Sequence, residues 1–282
     1  VLDFMPEVYD LFNNGLQKGD GIGIGKFDEL LTFTKGYLTT ITGIPSHGKS
    51  DFLDQVLIGL MKTAGWKTAF YSPENRPTEL HISKLIRKLT GRAFDKHRTS
   101  EAVIDQALHE LEGNFFFIKP KQGFKLADIL QHVKLLVNRK GIDCFVIDAW
   151  NKLEHLDTSS DYIGRSLDDI VQFCEVNRVH CFLVAHPTKM RKEKDGVKYE
   201  VPTLYDISGS ANFYNKTDNG LTVYRDFTTN ITTVYVQKVK FSHWGQQGSV
   251  NFTWDHDSSR FSVHEEVIYS SAGRYEKDGD PF

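Results

Sequence analysis

Cysteine is scarce in this chain: 3 among 282 residues. Cys144, Cys174 and Cys181 show no C-x-x-C spacing, and two of them lie in apolar runs. That excludes a disulfide framework and a cysteine-based zinc site, and leaves buried thiols in a reducing compartment. No apolar run approaches the length of a membrane span, and no signal peptide is recognisable. A strong charge of one sign is missing too. The net charge is -3, so a globally basic nucleic-acid surface is excluded, although cations can still gather in particular loops. No internal repeat is found. The length suits one large α/β domain or two small ones. The first residue is Val1, so the sequence is expected to start inside a longer protein.

What is present is a complete G-x-x-x-x-G-K-[ST] loop, Gly43-Ile44-Pro45-Ser46-His47-Gly48-Lys49-Ser50, followed by Asp51. An apolar strand-like run (37–42) precedes it and a helical pattern (51–63) follows. Turn N–H groups and a helix N-terminus then converge on one spot and favour an anion there. Gly43 and Gly48 allow the backbone to approach phosphates. Lys49 reaches the β- and γ-phosphates, and the Ser50 hydroxyl is suited to Mg²⁺. The competing reading is a glycine turn that only closes a βα unit. Gly21, Gly23 and Gly25 lack the G-x-G-x-x-G spacing, so a dinucleotide fingerprint is dismissed.

Strands and helices alternate through the rest. Strands are expected at 67–71, 115–119, 144–148 and 181–185. Helices are expected at 77–90, 100–112, 126–140 and 161–177. Continuous apolar strands between helices predict a mostly parallel sheet covered on both faces, an α/β fold. Residues 186–202 are polar and basic and read as a loop. Strands at 221–225, 232–240, 249–254 and 261–264 predict antiparallel additions to the sheet. Ahead of the core, Phe4, Val8, Leu11 and Phe12 share a face of a helix over 3–15. Such a helix either docks on a neighbouring subunit or packs on its own domain. The boundaries expected are a linker helix and arm at 1–20, an ATPase domain at 21–268 and a tail at 269–282.

Three further residues are candidates for chemistry. Asp148 ends an apolar strand, which fits a carboxylate holding the Mg²⁺ shell, or a simple turn residue. Glu74 follows the strand after the phosphate loop, where it would polarise an attacking water or merely cap the next helix. His186 ends another strand, as a γ-phosphate contact or as hydrogen-bonded structure. Lys189, Arg191 and Lys192 form part of a basic run just after it, either a phosphate-backbone contact or a solvated surface.

In order, the segments ITGIPSHGKS, YSPEN, FVIDAW, VAHPTK, DISGSANFYNKTDNGLTVYRD and VQKVKFSHWGQQGSVNFTW resemble the hexameric replicative DNA helicases. The likeness is to the DnaB type, and especially the Twinkle and phage primase–helicase branch, over most of residues 20–265. It implies a RecA-like core with Lys49, Ser50, Glu74 as catalytic base and Asp148 as the second metal-site acid. It also implies His186 as γ-phosphate sensor and Arg225 stacked on adenine, with Trp254 a candidate for the opposite face. Gly209, Ser210 and Asn212 would lie along single-stranded DNA in a central channel. The family's K-x-R pair, which enters the neighbouring subunit's ATP site, is here Lys238-Val239-Lys240, with lysine in the finger position. Ser208 stands where an arginine is common.

The expectation is an ATP- and Mg²⁺-dependent helicase motor in a ring, hexameric by the resemblance, with a primase-type domain or partner. The compartment expected is the cytoplasm of a bacterium or phage-infected cell, with an organelle left open. Two other readings stand beside it: a recombinase or clock-type RecA-fold ATPase without unwinding, and a nucleotide-binding regulatory module with weak turnover.

Overall fold

The computed structural model describes residues 1–119, 125–188, 190, 192, 199–207 and 210–269. Among these, one sheet of nine strands forms the centre, in the order β3-β2-β4-β5-β1-β6-β7-β8-β9. The first six positions are parallel: β3 (Phe115–Phe117), β2 (Thr68–Tyr71), β4 (Cys144–Asp148), β5 (His180–Val184), β1 (Leu38–Thr42) and β6 (Asn219–Asp226). The strands β7 (Ile231–Lys238), β8 (Gly248–Trp254) and β9 (Phe261–Tyr269) continue it antiparallel. This is the α/β arrangement expected from the alternation of apolar strands and helices.

The central strands are buried on both faces because side chains alternate between two cores. On β5, Phe182 and Val184 face one core while Cys181 and Leu183 face the other. The first core takes helices α3 (Lys49–Ala64), α4 (Thr78–Thr90) and α5 (Glu101–Glu112). The second takes α6 (Leu126–Lys140) and α7 (Ser160–Asn177). Helix α3 buries Phe52, Leu53, Val56, Leu57 and Leu60, a stripe at helical spacing. It stops at Gly65, whose left-handed conformation returns its N–H to the Leu60 and Met61 carbonyls. At the start of α7, the Ser159 hydroxyl accepts the Tyr162 N–H at 3.3 Å.

Three local differences from expectation matter for function. The residues that the resemblance places in a central channel include a short helix, α8 (Ser210–Lys216). Strand β7 ends at Lys238, so Lys240 lies beyond the ladder. The N-terminal helix α1 (Met5–Asn14) buries no residue, with Val8 58% and Phe12 82% exposed. Among the described residues nothing covers that helix, so packing on its own domain is not the arrangement seen. The domain itself is joined from Gly19 onward, where the Gly19 N–H donates to Thr32 Oγ1 at 3.1 Å and the Asp20 carboxylate accepts the Trp66 indole N–H at 2.7 Å.

The tail residues 270–282, and Lys189, Arg191, Ser208 and Gly209, lie outside the described residues.

Candidate active site

Four adjacent parallel strands, β2-β4-β5-β1, bring the chemistry to one edge of the sheet. Glu74 follows β2, Asp148 ends β4, His186 follows β5, and the 43–50 loop follows β1. Open parallel sheets bind ligands outside the carboxyl ends of their strands, and these residues occupy that edge.

The loop's conformation depends on its glycines. Gly43 has φ +146°, and a Cβ there would sit 2.3 Å from the Val223 carbonyl oxygen on β6. Ser46 and Gly48 also adopt positive φ, at 67° and 93°, and α3 starts immediately after Gly48. Such a run of turns ahead of a helix makes an anion-binding concavity. His47 lines the same cavity as the loop, and its Nδ1 accepts the Arg225 backbone N–H at 3.0 Å, which ties the loop to β6. Burial, and then the Lys49 and Arg225 cations, push the imidazole down to about 4, so it is neutral and can accept. Asp51 also lines the cavity, 3.5 Å from the Lys84 ammonium on α4.

Lys49 is buried and its Nζ donates to the Gly43 and Ile44 carbonyls at 2.8 and 3.0 Å. Burial pushes it down to about 8, against the pull of Asp148 and then Glu74. An anionic phosphate beside it would favour the charged form. Asp148 is buried; its Oδ2 accepts from Ser72 Oγ at 3.3 Å and Asn75 Nδ2 at 3.2 Å. Its Oδ1 is buried without a hydrogen-bond partner. Burial pushes this carboxyl up to about 6, opposed by the Ser50 hydroxyl and reinforced by Glu74 and Asp54. A Mg²⁺ ion shared by Ser50 and Asp148 would satisfy the orphaned oxygen and favour the carboxylate. No cluster of three or more His, Cys, Asp or Glu exists among the described residues. Phosphate and water oxygens would complete the shell, the usual habit of Mg²⁺.

Glu74 Oε1 lies 3.4 Å from His186 Nε2 and 3.8 Å from Lys152 Nζ. The His186 backbone N–H is held by Asn151 Oδ1 at 2.9 Å, and its Nδ1 is buried without a partner. Burial first, then Lys49, hold this imidazole below its ordinary value. Pro45, Ser46, Gly48, Glu74, His186, Arg225 and Trp254 together line a cavity of about 520 Å³, a volume suited to a small-molecule ligand.

At the far end of that cavity, the Arg225 guanidinium lies 5.4 Å from the Trp254 ring centre and 5.5 Å from that of Phe227. The arginine also donates to Asn230 Oδ1, and its Nε is buried without a partner. The expected sandwich, with a base between Arg225 and Trp254, is not the geometry seen. A base between them would need about 7 Å, two layers of about 3.5 Å, so at 5.4 Å the cation lies over the Trp254 ring with no room for a base between.

Other expected residues lie elsewhere. Lys238 and Lys240 sit at the opposite, amino edge of the parallel strands, beside the start of β1. Asn212 donates to the Ser160 carbonyl and hydroxyl at 2.7 and 2.9 Å, joining α8 to α7. Lys192 forms a bridge with Tyr199 and lies 5.8 Å over its ring. Sequence reasoning missed Ser72, Asn75, Lys84, Asn151, Lys152, Phe227 and Asn230. Only Ser72 and Asn75, on either side of Glu74 in the YSPEN segment, carried a signal in their position.

A phosphate loop on β1, an acid on β4 and one intervening strand with a polar tip define a RecA-like P-loop ATPase domain. The comparisons with known proteins narrow that class. The DnaB-like helicase C-terminal domain pattern matches residues 21–263, and the chain belongs to that family. It is 31% identical over 280 residues to the Twinkle homolog protein, chloroplastic/mitochondrial, of Arabidopsis thaliana. The match takes in 92% of this chain and 39% of that relative, so the chain spans well under half of the relative's length. In fold it is similar to a separately solved ATPase domain, at TM-score 0.76 and 17% identity, covering 93% of this chain and 98% of that one. It is similar also to a DnaB-like replicative helicase studied for its interactions with primase, at TM-score 0.74 and 18% identity, covering 93% and 66%. No helix among the described residues is long and apolar enough to cross a membrane.

Proposed function

We propose that this chain is the ATP-hydrolysing motor domain of a replicative DNA helicase. The observation that carries the reading is the convergence of Lys49, Asp148, Glu74 and His186 on one strand edge, with Asp148 Oδ1 buried without a partner and the Ser50 hydroxyl beside that carboxyl. Lys49 and the loop amides hold the phosphates. Ser50 and Asp148 would hold Mg²⁺, which would supply neutralisation of the phosphate charge. Glu74 orients the attacking water, with Lys152 and His186 fixing its carboxylate, and His186 reports the γ-phosphate to the loop that follows it.

The family and the placement of cations at opposite edges support a ring. The phosphate loop lies at the carboxyl edge of the sheet and Lys238 and Lys240 at the amino edge, so a head-to-tail interface sets one against the other. The solvent-facing apolar stripe of α1 would then dock on the next subunit, and deleting residues 1–16 should weaken assembly. Single-stranded DNA would pass the 189–216 region, held through its backbone with little sequence preference. A primase-type domain or partner and an organellar or bacterial setting both suit this reading.

A second reading, a nucleotide-binding module with weak turnover, is favoured by one observation: Lys240 is ion-paired with Asp218 at 2.7 Å in its own subunit. Steady-state ATP hydrolysis with and without single-stranded DNA separates the two. Stimulated turnover that vanishes in Lys49→Ala supports the motor. Nucleotide binding without turnover under either condition supports the module.

A further inference from the structure

The end of β7 grips both flanks of the candidate DNA-facing segment. Gln237 accepts the Leu204 N–H at 3.1 Å and donates to the Pro202 carbonyl at 3.0 Å. Lys238 Nζ donates to the Tyr214 carbonyl at 2.6 Å and lies 5.1 Å over the Tyr214 ring. A longer contact, 3.4 Å, reaches the Asn215 carbonyl. Lys240 Nζ pairs with Asp218 Oδ1 at 2.7 Å, while Asp218 Oδ2 accepts the Leu38 N–H at 2.8 Å, at the head of the strand that leads to the phosphate loop. Three side chains within four residues thus reach positions 202, 204, 214, 215 and 218.

The Lys238 contact has a particular consequence. Helix α8 has seven residues, too few to be stable alone, and its last carbonyls have no partners within the helix. A lysine at the carboxyl end satisfies two of them and complements the helix dipole. The other end of α8 is held separately by Asn212 on Ser160, and its side by Lys216 on Asp168 at 2.6 Å. Loss of Lys238 would therefore loosen the carboxyl end of α8 while leaving its attachment to α7 intact.

We propose that Lys238 and Lys240 form a two-position latch: within a subunit they hold α8 and Asp218, and when drawn to the nucleotide of the next subunit they release α8. This rests on the ring reading above and deepens it. Nucleotide occupancy at one interface then sets the mobility of the neighbouring subunit's DNA-facing segment, through one strand end. A single ammonium cannot serve both the α8 carbonyls and a phosphate across the interface. Asp218 is a positioning residue here, because it touches neither nucleotide nor DNA.

The test is amide hydrogen exchange at residues 210–216 in the assembled wild-type protein, with Mg²⁺ and a non-hydrolysable ATP analogue and without DNA. Faster exchange on adding the analogue is the expected result; unchanged or slower exchange in protein shown to bind the analogue overturns the latch alone. If the wild type binds no nucleotide, the ATPase reading fails and the latch falls with it. Asp218→Asn gives a second readout. It removes the ion pair but keeps an acceptor for Leu38, and should raise turnover without DNA several-fold while shrinking the stimulation by DNA. A folded Asp218→Asn protein with the wild-type stimulation ratio would overturn the proposal, whereas a merely structural role would lower both rates together.

Discussion

Glu74 Oε1 and His186 Nε2 face each other at 3.4 Å across the strand ends of β2 and β5, with the Lys152 ammonium 3.8 Å from the same oxygen. The contact joins the group placed to orient water to the group placed to sense phosphate. Replacing Glu74 by Gln is expected to lower ATP turnover by about 10²-fold or more, with nucleotide affinity little changed. His186→Asn should cost less in the single-turnover rate but should lose the stimulation by DNA. Rapid-quench hydrolysis measures both. Wild-type turnover in Glu74→Gln would refute its role.

Asp148 carries a sign that can be measured without any substrate. Its pKa in the folded chain is raised to about 6 from the ordinary value of 3.8. The neutral acid is thus the form the fold prefers. That preference is fully present below about pH 4 and is lost as pH rises through about 6, at a cost of about 3 kcal/mol by neutral pH. Asp148→Asn should therefore melt higher than the wild type at pH 7.5 without Mg²⁺, with the gap closing near pH 4. Calorimetry at the two pH values decides it. The same variant should lose Mg²⁺-dependent turnover.

Beneath the site, His81 Nε2 on α4 meets Asp54 Oδ1 on α3 at 2.9 Å, both side chains almost fully buried. Burial opposes the imidazolium, but the Asp54 charge and hydrogen bond raise His81 overall, with Lys84 lowering it and Asp148 raising it. The pair's contribution is present below the unfolded value and is lost as pH rises through the folded one. Asp54→Asn leaves the imidazole without its counter-charge and is expected to cost about 3–5 kcal/mol at pH 6 and less at pH 9. Urea unfolding at both pH values tests this; equal losses would mean that charge is not what joins the helices.

The Arg225 guanidinium lying over the Trp254 ring offers an optical handle. Trp66, Trp150 and Trp244 are buried, so Trp254 is the indole placed to respond at the cavity. ATP should change the tryptophan emission of the wild type, and Trp254→Phe should abolish that change. Arg225→Ala should weaken nucleotide binding by about 1 kcal/mol, read by titration. An unchanged dissociation constant would remove Arg225 from base binding.

Much of this architecture was legible because its signals are local. The loop at 43–50 shows itself as a glycine-bounded turn between an apolar run and a helical pattern, and each buried strand announces itself by a continuous apolar run. Glu74, Asp148 and His186 were recognisable as polar residues at strand ends. The helical stripe of Phe4, Val8, Leu11 and Phe12 was equally plain, but whether it was covered was not. A periodic pattern shows which face is apolar and is silent about what meets it.

The sequence by itself determined the parallel α/β core, the phosphate loop and the set of strand-end acids, because these follow from periodicity and backbone constraint over a few residues. Only the tertiary structure decided what those residues touch. Asp51 turns to Lys84, His47 accepts from Arg225, and Arg225 lies on Trp254 instead of leaving a slot. Lys238 and Lys240 grip α8 and Asp218 at the far edge of the sheet. Such partners lie tens to hundreds of positions apart along the chain. Their pairing is set by strand order and register, which bring together side chains that no local pattern relates.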